Sequence, residues 1–111
     1  MSVIQRGGLL LAMIDVHPDH EEEFTRWYNE EHFPDRVTCP GFLSGRRFMA
    51  VDGSPKYLAL YDLESPEVLD GEDYKRIQTS PWTEEIRKHF LQNTRNVYVD
   101  ITPPPPYKRR F

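Results

Sequence analysis

The alternation of apolar and polar residues divides the chain into short segments with two different periods. Residues 9–16 are almost continuously apolar, which predicts a strand that is covered on both faces. Between Pro18 and about Phe33, aromatic side chains recur at helical spacing: Phe24, Trp27 and Tyr28. Acidic residues crowd the start of this segment, as suits the positive end of a helix dipole. Pro34 is expected to end the helix, because proline lacks the N–H that a helix interior needs.

The rest of the chain predicts three more strands and a second helical region. The predicted elements are a strand over 41–51, a loop over 52–55, a strand over 56–63, a helical region over 65–78 and a last strand over 96–102. Gly71 interrupts the helical region, and Ser80 followed by Pro81 predicts the start of a further helix. The expected apolar stripe of that helix consists of Trp82, Ile86 and Phe90. The order β-α-β-β-α-β predicts an α+β, ferredoxin-like fold, in which helices cover one face of a four-stranded antiparallel sheet.

The length of 111 residues fits a single domain. The predicted elements place this domain at residues 9–102, after a flexible lead-in over 1–8 and before a Pro-rich basic tail over 103–111. Helices on one face would leave the other face of the sheet bare, although the first and third strands are apolar on both faces. We therefore expect a second copy of the chain to cover that face, which gives a homodimer.

Composition and charge argue against several classes of partner. The formal net charge of −4 disfavours nucleic acid and anionic membranes, and the longest strongly apolar run, residues 9–14, is too short to span a membrane. The single cysteine, Cys39, excludes an internal disulfide framework and predicts a reducing, cytoplasmic location. We expect no metal and no cofactor, because the sequence has neither zinc-site spacing nor a phosphate-binding or dinucleotide motif.

The candidate chemistry centres on His32, which follows the aromatic stripe by one helical turn. Histidine is the side chain whose ordinary pKa suits proton transfer near neutral pH. In a pocket, His32 would be a general acid or base, Glu31 could orient its imidazole, and Tyr28 and Tyr61 could donate hydrogen bonds to a developing oxyanion. The alternative is a structural histidine at a helix C-terminus, a solvent-exposed glutamate, and tyrosines that only fill the core.

The expected pocket lies between the sheet and the helices. Its predicted walls are Trp27, Tyr57, Phe48 and Trp82. Arg36 could hold a substrate carboxylate, or it could pair with a neighbouring acid at the helix end. Arg46 and Arg47 should point to opposite faces of one strand, so one of them meets a covered face and needs a partner there. That partner would be a strand carboxylate in a structural ion pair, or an anionic substrate.

The segment WYNEEHFPDR, residues 27–36, resembles the end of the first helix in the EthD-like branch of the dimeric α/β-barrel superfamily. The matching residues are Tyr28, His32 and Pro34, which are followed by CPGF at 39–42. GSPKYLALYDLESPEVL at 53–69 and SPWTEEIRKHF at 80–90 also resemble small members of that superfamily. The resemblance runs in order and spacing over residues 9–102.

The resemblance implies a small enzyme that needs no cofactor and performs proton-transfer chemistry, of the isomerase, cyclase, dehydratase or lyase type. Its substrate would be a small aromatic or polyketide-like organic molecule. The superfamily also includes cofactor-free monooxygenases, haem-using enzymes and proteins without a known activity. A cofactor-free monooxygenase and a non-catalytic, small-ligand-binding or stress-related protein therefore stay open as alternatives, and haem use is not excluded.

Overall fold

The sheet has four antiparallel strands in a computed structural model that describes residues 6–111. The strands are β1 Gly8–Val16, β2 Phe42–Met49, β3 Tyr57–Leu63 and β4 Phe90–Val99. They pair in the order β2-β3-β1-β4, so the first and third strands of the chain lie at the centre. This arrangement confirms the predicted ferredoxin-like α+β fold. Of the lead-in predicted over residues 1–8, residues 1–5 fall outside the described residues, and the predicted end is wrong because Gly8 already pairs in β1.

The helices lie in two of the three connections between strands, those from β1 to β2 and from β3 to β4, and pack against the core on one side. The helical elements are a 3₁₀ turn Pro18–His20, α1 Glu21–Trp27, a π-helical turn Tyr28–His32, α2 Phe33–Val37, a 3₁₀ turn Pro66–Asp70, α3 Glu72–Ile77 and α4 Pro81–Arg87. Ser80 caps α4 as predicted, because its hydroxyl accepts a hydrogen bond of 3.0 Å from the N–H of Thr83. Within residues 6–111, each helix is too short or too polar to cross a membrane.

Pro34 does not end the first helix, contrary to the prediction. The N–H of Phe33 donates to the carbonyl of Tyr28, five residues earlier, in the wider π-type pattern. Pro34 has no backbone N–H to donate, and the wider turn changes the pattern of hydrogen bonds at this point. The helix therefore continues past the proline, as α2, to Val37. His32 therefore lies inside a helical segment rather than at a helix C-terminus. A structural histidine favoured by the helix dipole is excluded for the same reason.

Close packing on β2 supports the helix beyond the proline. A Cβ atom on Gly45 would come within 2.7 Å of Val37 Cγ1 and within 3.0 Å of Phe33 Cε2, so only glycine lets α2 approach the strand this closely. Such tertiary packing contributes more to the stability of a short helix than local propensity does. The close packing of α2 on β2 therefore depends on glycine at position 45.

Two strand predictions were wrong in detail. β4 begins at Phe90 rather than at residue 96, so Phe90 belongs to the sheet and not to the stripe of α4. In β2, a register shift between Phe42 and Ser44 changes which side chains share a face. Phe42 joins Gly45 and Arg47 on the helix-covered face, whereas strict alternation along the strand would put it on the opposite face from them.

The face of the sheet without helices carries half-buried and exposed apolar side chains. They are Leu9, Leu11 and Met13 of β1, Phe48 of β2, Leu58 and Leu60 of β3, and Tyr98 of β4. Phe48 and Tyr98 keep 43% and 45% of their surface exposed. A surface of this kind, on a domain this small, is typical of an interface.

Candidate functional site

One row of cross-strand neighbours on the helix-covered face places two alanines between two arginines. From β2 to β4 the row consists of Arg47, Ala59, Ala12 and Arg95. Ala12 is only half-buried, although Leu10 and Ile14 on the same face of β1 are almost fully buried. Because alanine is short, this pattern indicates a gap between the sheet and the helices above Ala12. Concave spaces between such layers are common places for small-molecule sites.

Aromatic side chains of the first helix form the layer beside this row. Phe24, Trp27 and Tyr28 are each at most 2% exposed. The ring of His32 lies against two of them, with centroid distances of 4.2 Å to Trp27 and 4.8 Å to Tyr28. The structure therefore brings three of the predicted site residues into contact: Trp27, Tyr28 and His32.

The imidazole of His32 is held neutral by its surroundings. Burial is the largest cause, and the guanidinium groups of Arg36, Arg87 and Arg47 add to it, so that the pKa of His32 falls to about 2. A neutral imidazole can donate one hydrogen bond and accept another. With so low a pKa it accepts a proton poorly, and proton-transfer chemistry at His32 requires a change in the local charge.

This depressed pKa predicts a specific dependence of stability on pH. Between pH 6.5 and about 2 the unfolded chain binds a proton at His32 that the folded chain does not bind, so the free energy of unfolding falls as the pH falls. The contribution of this one group is at most about 1.4 kcal/mol for each pH unit. We expect His32→Gln to have a flatter stability profile than the wild type between pH 6.5 and 4.5, measured by urea unfolding. Parallel profiles would show that His32 titrates normally in the folded protein.

Tyr61 carries an unpartnered hydroxyl in the interior. Its side chain is 1% exposed, and its Oη is the one buried side-chain polar atom among residues 6–111 without a hydrogen-bond partner. Burial is the largest cause of the raised pKa of Tyr61, and the charge and weak hydrogen bonding of the neighbouring Tyr28 phenol add to it, so the hydroxyl stays protonated. Leaving such a group unpaired costs about 1–3 kcal/mol. Burial also raises the pKa of Tyr28, so the site holds two neutral phenols.

Two arginines on this side of the sheet contact aromatic rings. Arg36 is 4% exposed, donates to the carbonyl of Ile77 at 3.3 Å, and lies 5.7 Å from the ring centroid of Tyr74. Arg47 lies 4.0 Å from the ring centroid of Tyr28. In the part of the chain that the structure describes, neither has a carboxylate within 4.0 Å. This side of the sheet therefore carries two arginine charges that no carboxylate of residues 6–111 contacts directly.

Glu31 does not orient His32 and is not simply exposed to solvent. Its Oε2 accepts hydrogen bonds from Trp27 Nε1 at 3.2 Å, Ser80 Oγ at 2.6 Å and Thr83 Oγ1 at 3.2 Å. These contacts join the π-helical turn to the first turn of α4. Sequence reasoning missed this role, because Glu31 and Ser80 are far apart in the chain.

The remaining predicted pocket residues are not all brought together. Tyr57 packs against Phe24 at a centroid distance of 5.1 Å, and Trp82 lies on the surface of the core under Arg26. Phe48 projects from the opposite face of the sheet from Tyr61, where Arg46 lies 5.3 Å from its ring centroid. A single pocket lined by the whole predicted set is therefore not formed.

Three histidines gather outside this site, at the turn that follows β1. The rings of His20 and His89 are stacked, with 3.4 Å between their centroids. The backbone N–H of His17 donates to the backbone carbonyl of His89 at 2.9 Å. Across residues 6–111, no group of three or more His, Cys, Asp or Glu side chains is arranged to hold a metal ion.

Comparisons with known proteins bear on the fold alone. No model of a known protein family matches the chain, and no curated protein matches it. Eight solved structures of similar fold share 11% to 15% of their residues with it.

Three of these structures illustrate the likeness. A candidate monooxygenase from Shewanella loihica is 13% identical with a TM-score of 0.67, and the match covers 91% of this chain and 100% of that one. A dimeric ferredoxin-like protein from an uncultured marine organism is 14% identical with a TM-score of 0.66, over 94% and 95% of the two chains. SnoaB, a cofactor-independent oxygenase from Streptomyces nogalater, is 14% identical with a TM-score of 0.58, over 91% and 99%.

Proposed function

We propose that the protein is a small enzyme that needs no cofactor and acts on an enolisable or phenolic aromatic molecule, which it holds as an anion. The observation that carries the proposal is the Tyr61 hydroxyl, a buried, protonated donor that lies beside the Tyr28 phenol and makes no hydrogen bond of good geometry within residues 6–111. Preorganised donors of this kind stabilise negative charge that develops on oxygen. The gap beside the alanine row is the proposed entrance.

The proposed reaction begins with loss of a proton from the substrate. Tyr61, assisted by Tyr28, would donate to the oxygen on which negative charge develops, and His32 would take up the proton. Charge coupling supports this role for His32, because a substrate anion offsets the arginine charges that lower its pKa. Proton transfer would then become easier as the anion forms. Trp27 and Tyr57 would be contacts for the apolar part of the substrate, and Arg36 would supply a positive charge.

Two alternatives use the same site differently. In a cofactor-free monooxygenase the electron-rich substrate anion would react with dioxygen, and the fold shared with SnoaB favours this candidate. In a non-catalytic binding protein the anion would bind without turnover.

Benzoylacetone and hydroquinone are suitable probes of these three functions, since one is enolisable and the other phenolic. Exchange of the acidic C–H for deuterium indicates proton transfer, oxygen uptake indicates a monooxygenase, and thermal stabilisation alone indicates binding. The decisive comparison is between the wild type and Tyr61→Phe.

We expect the protein to form a homodimer through the face of the sheet without helices. The apolar side chains of that face and the dimeric ferredoxin-like neighbour support this assembly. In sedimentation at micromolar concentration, the wild type should be a dimer and Leu60→Arg a monomer, because a charge at the centre of the interface would be buried without a partner. Val51→Arg, at an exposed loop position, is the control and should stay dimeric. A monomeric wild type would contradict the assembly.

Two finer assignments stay predictions. The likeness to the EthD-like branch rests on residues 27–36 and the segments that follow, and the cytoplasmic location rests on the single Cys39.

A further inference from the structure

Arg47 lies at a cleft that opens on the edge of the site. The cleft has a volume of about 180 Å³ and is lined by Thr25, Arg47, Phe48, Met49 and Tyr57. The guanidinium of Arg47 lies 4.0 Å from the ring centroid of Tyr28 and 5.8 Å from that of Tyr57. Arg47 therefore connects the cleft to the buried aromatic layer around His32.

The charge of Arg47 is oriented but not neutralised. Its Nη1 donates to the side-chain oxygen of Asn29 at 2.9 Å, which uses one of its five N–H donors. Two strand carboxylates that could have paired with Arg47 have other partners. Asp15 accepts from the N–H of Lys56 at 2.6 Å, and Asp62 accepts from the hydroxyl of Ser44 at 2.6 Å. A ligand that reached Arg47 would bring the missing negative charge.

We propose that this cleft binds a compact aromatic molecule through an anionic oxygen, a carboxylate or an enolate, with Arg47 as the anchor and Tyr57 as the apolar wall. The inference rests on the proposed function, since it names the class of molecule that enters the same site. The planar guanidinium matches the two oxygens of a carboxylate. Stacking on Tyr28 and the hydrogen bond to Asn29 hold the guanidinium in place before the ligand arrives, which lowers the entropy cost of binding. Arg47 is thus a specificity determinant: it selects charged over neutral aromatic molecules.

Benzoate and benzamide test this proposal, because the two molecules have nearly the same shape and differ in charge. Binding is followed by the ¹⁵N–¹H NMR shifts of the backbone amides and of the Arg47 side-chain Nε–H. We expect saturable shifts at Thr25, Arg47 and Tyr57 with benzoate, and binding at least about tenfold weaker with benzamide. Inorganic phosphate, which has charge but no ring, should give no saturable shift at Tyr57.

Arg46 provides a matched control, because it is the next residue on β2 and projects from the opposite face. Arg47→Met should remove the preference for benzoate, whereas Arg46→Met should keep it. Arg47→Lys retains the charge without the planar fork and should retain part of the preference. Thermal unfolding of each variant checks that it is folded.

Three results would overturn the inference: equal binding of benzoate and benzamide, an Arg46→Met variant that behaves like Arg47→Met, or no saturable binding of benzoate. The titration needs no turnover, so it fails or succeeds separately from the proposed reaction. If benzoate binds at Arg47 while Tyr61→Phe retains full turnover, the anion site at Arg47 is supported and the catalytic role of Tyr61 is wrong.

Discussion

Tyr61→Phe is expected to make the protein more stable and much less active. The substitution removes a buried hydroxyl that has no hydrogen-bond partner, and it leaves the ring contacts with Phe33 and Phe42 in place. Relief of the desolvation cost should raise the free energy of unfolding by about 1 kcal/mol. Loss of a preorganised donor to the substrate oxyanion should lower kcat by about 100-fold. Opposite effects on stability and activity are typical of a polar group retained for function.

Urea unfolding and turnover of the enolisable probe, measured on the same preparation, check both halves of this expectation. Tyr107→Phe is the matched control, since it removes an exposed hydroxyl whose one hydrogen bond, of 2.6 Å to the carbonyl of Pro103, lies within the tail, and it should change neither quantity appreciably. A destabilised Tyr61→Phe would show that the hydroxyl has a partner in solution. A stabilised variant with full turnover would remove Tyr61 from the proposed chemistry.

Glu31→Ala is expected to be the most destabilising of the substitutions considered. It leaves the Trp27 indole N–H with Thr83 Oγ1, at 3.1 Å, as its remaining acceptor. It also removes the carboxylate that accepts from Ser80 and Thr83 at the point where the first helix meets α4. Because hydrogen bonds to a charged, partly buried acceptor are stronger than neutral ones, we expect a loss of about 3 kcal/mol in the free energy of unfolding. Glu31→Gln keeps one acceptor oxygen and should lose less.

Glu30→Ala is the control, because Glu30 is the preceding residue and makes only an exposed contact of 3.4 Å with Arg26. A surface pair of this kind contributes little, so the expected change is below about 1 kcal/mol. Equal losses in the Glu30 and Glu31 variants, measured by urea unfolding, would contradict a bridging role for Glu31.

The elements that local periodicity describes could be predicted from the chain. The apolar run before Val16, the aromatic spacing of the first helix and the Ser80 cap each depend on residues close in sequence, and the structure has them. Features that depend on contacts between distant segments could not be predicted from the chain. The register shift in β2 becomes defined only against β3, and the helix continues past Pro34 because α2 packs onto Gly45.

The candidate site also has some features that the sequence predicts and others that it does not. Tyr28 and His32 are one helical turn apart in the sequence, and their rings meet. The contact between Trp27 and His32 spans five residues and occurs where the helix has its π-helical turn. The predicted acid–base role of His32 took no account of burial or of arginines from three separate elements, which together hold its pKa far below the usual range. Phe48 was assigned to the pocket with Tyr61, yet the two side chains lie on opposite faces of the sheet.

The sequence by itself determined the order of strands and helices, the aromatic face of the first helix and the expectation of a ferredoxin-like fold. All of these follow from periods of two and 3.6 residues, which are local properties of the chain. Only the tertiary structure decided that Arg47 and Arg95 flank Ala59 and Ala12, that Tyr61 has no partner and that Glu31 joins two helices. Burial and electrostatic fields arise when distant segments meet, so no local pattern encodes them.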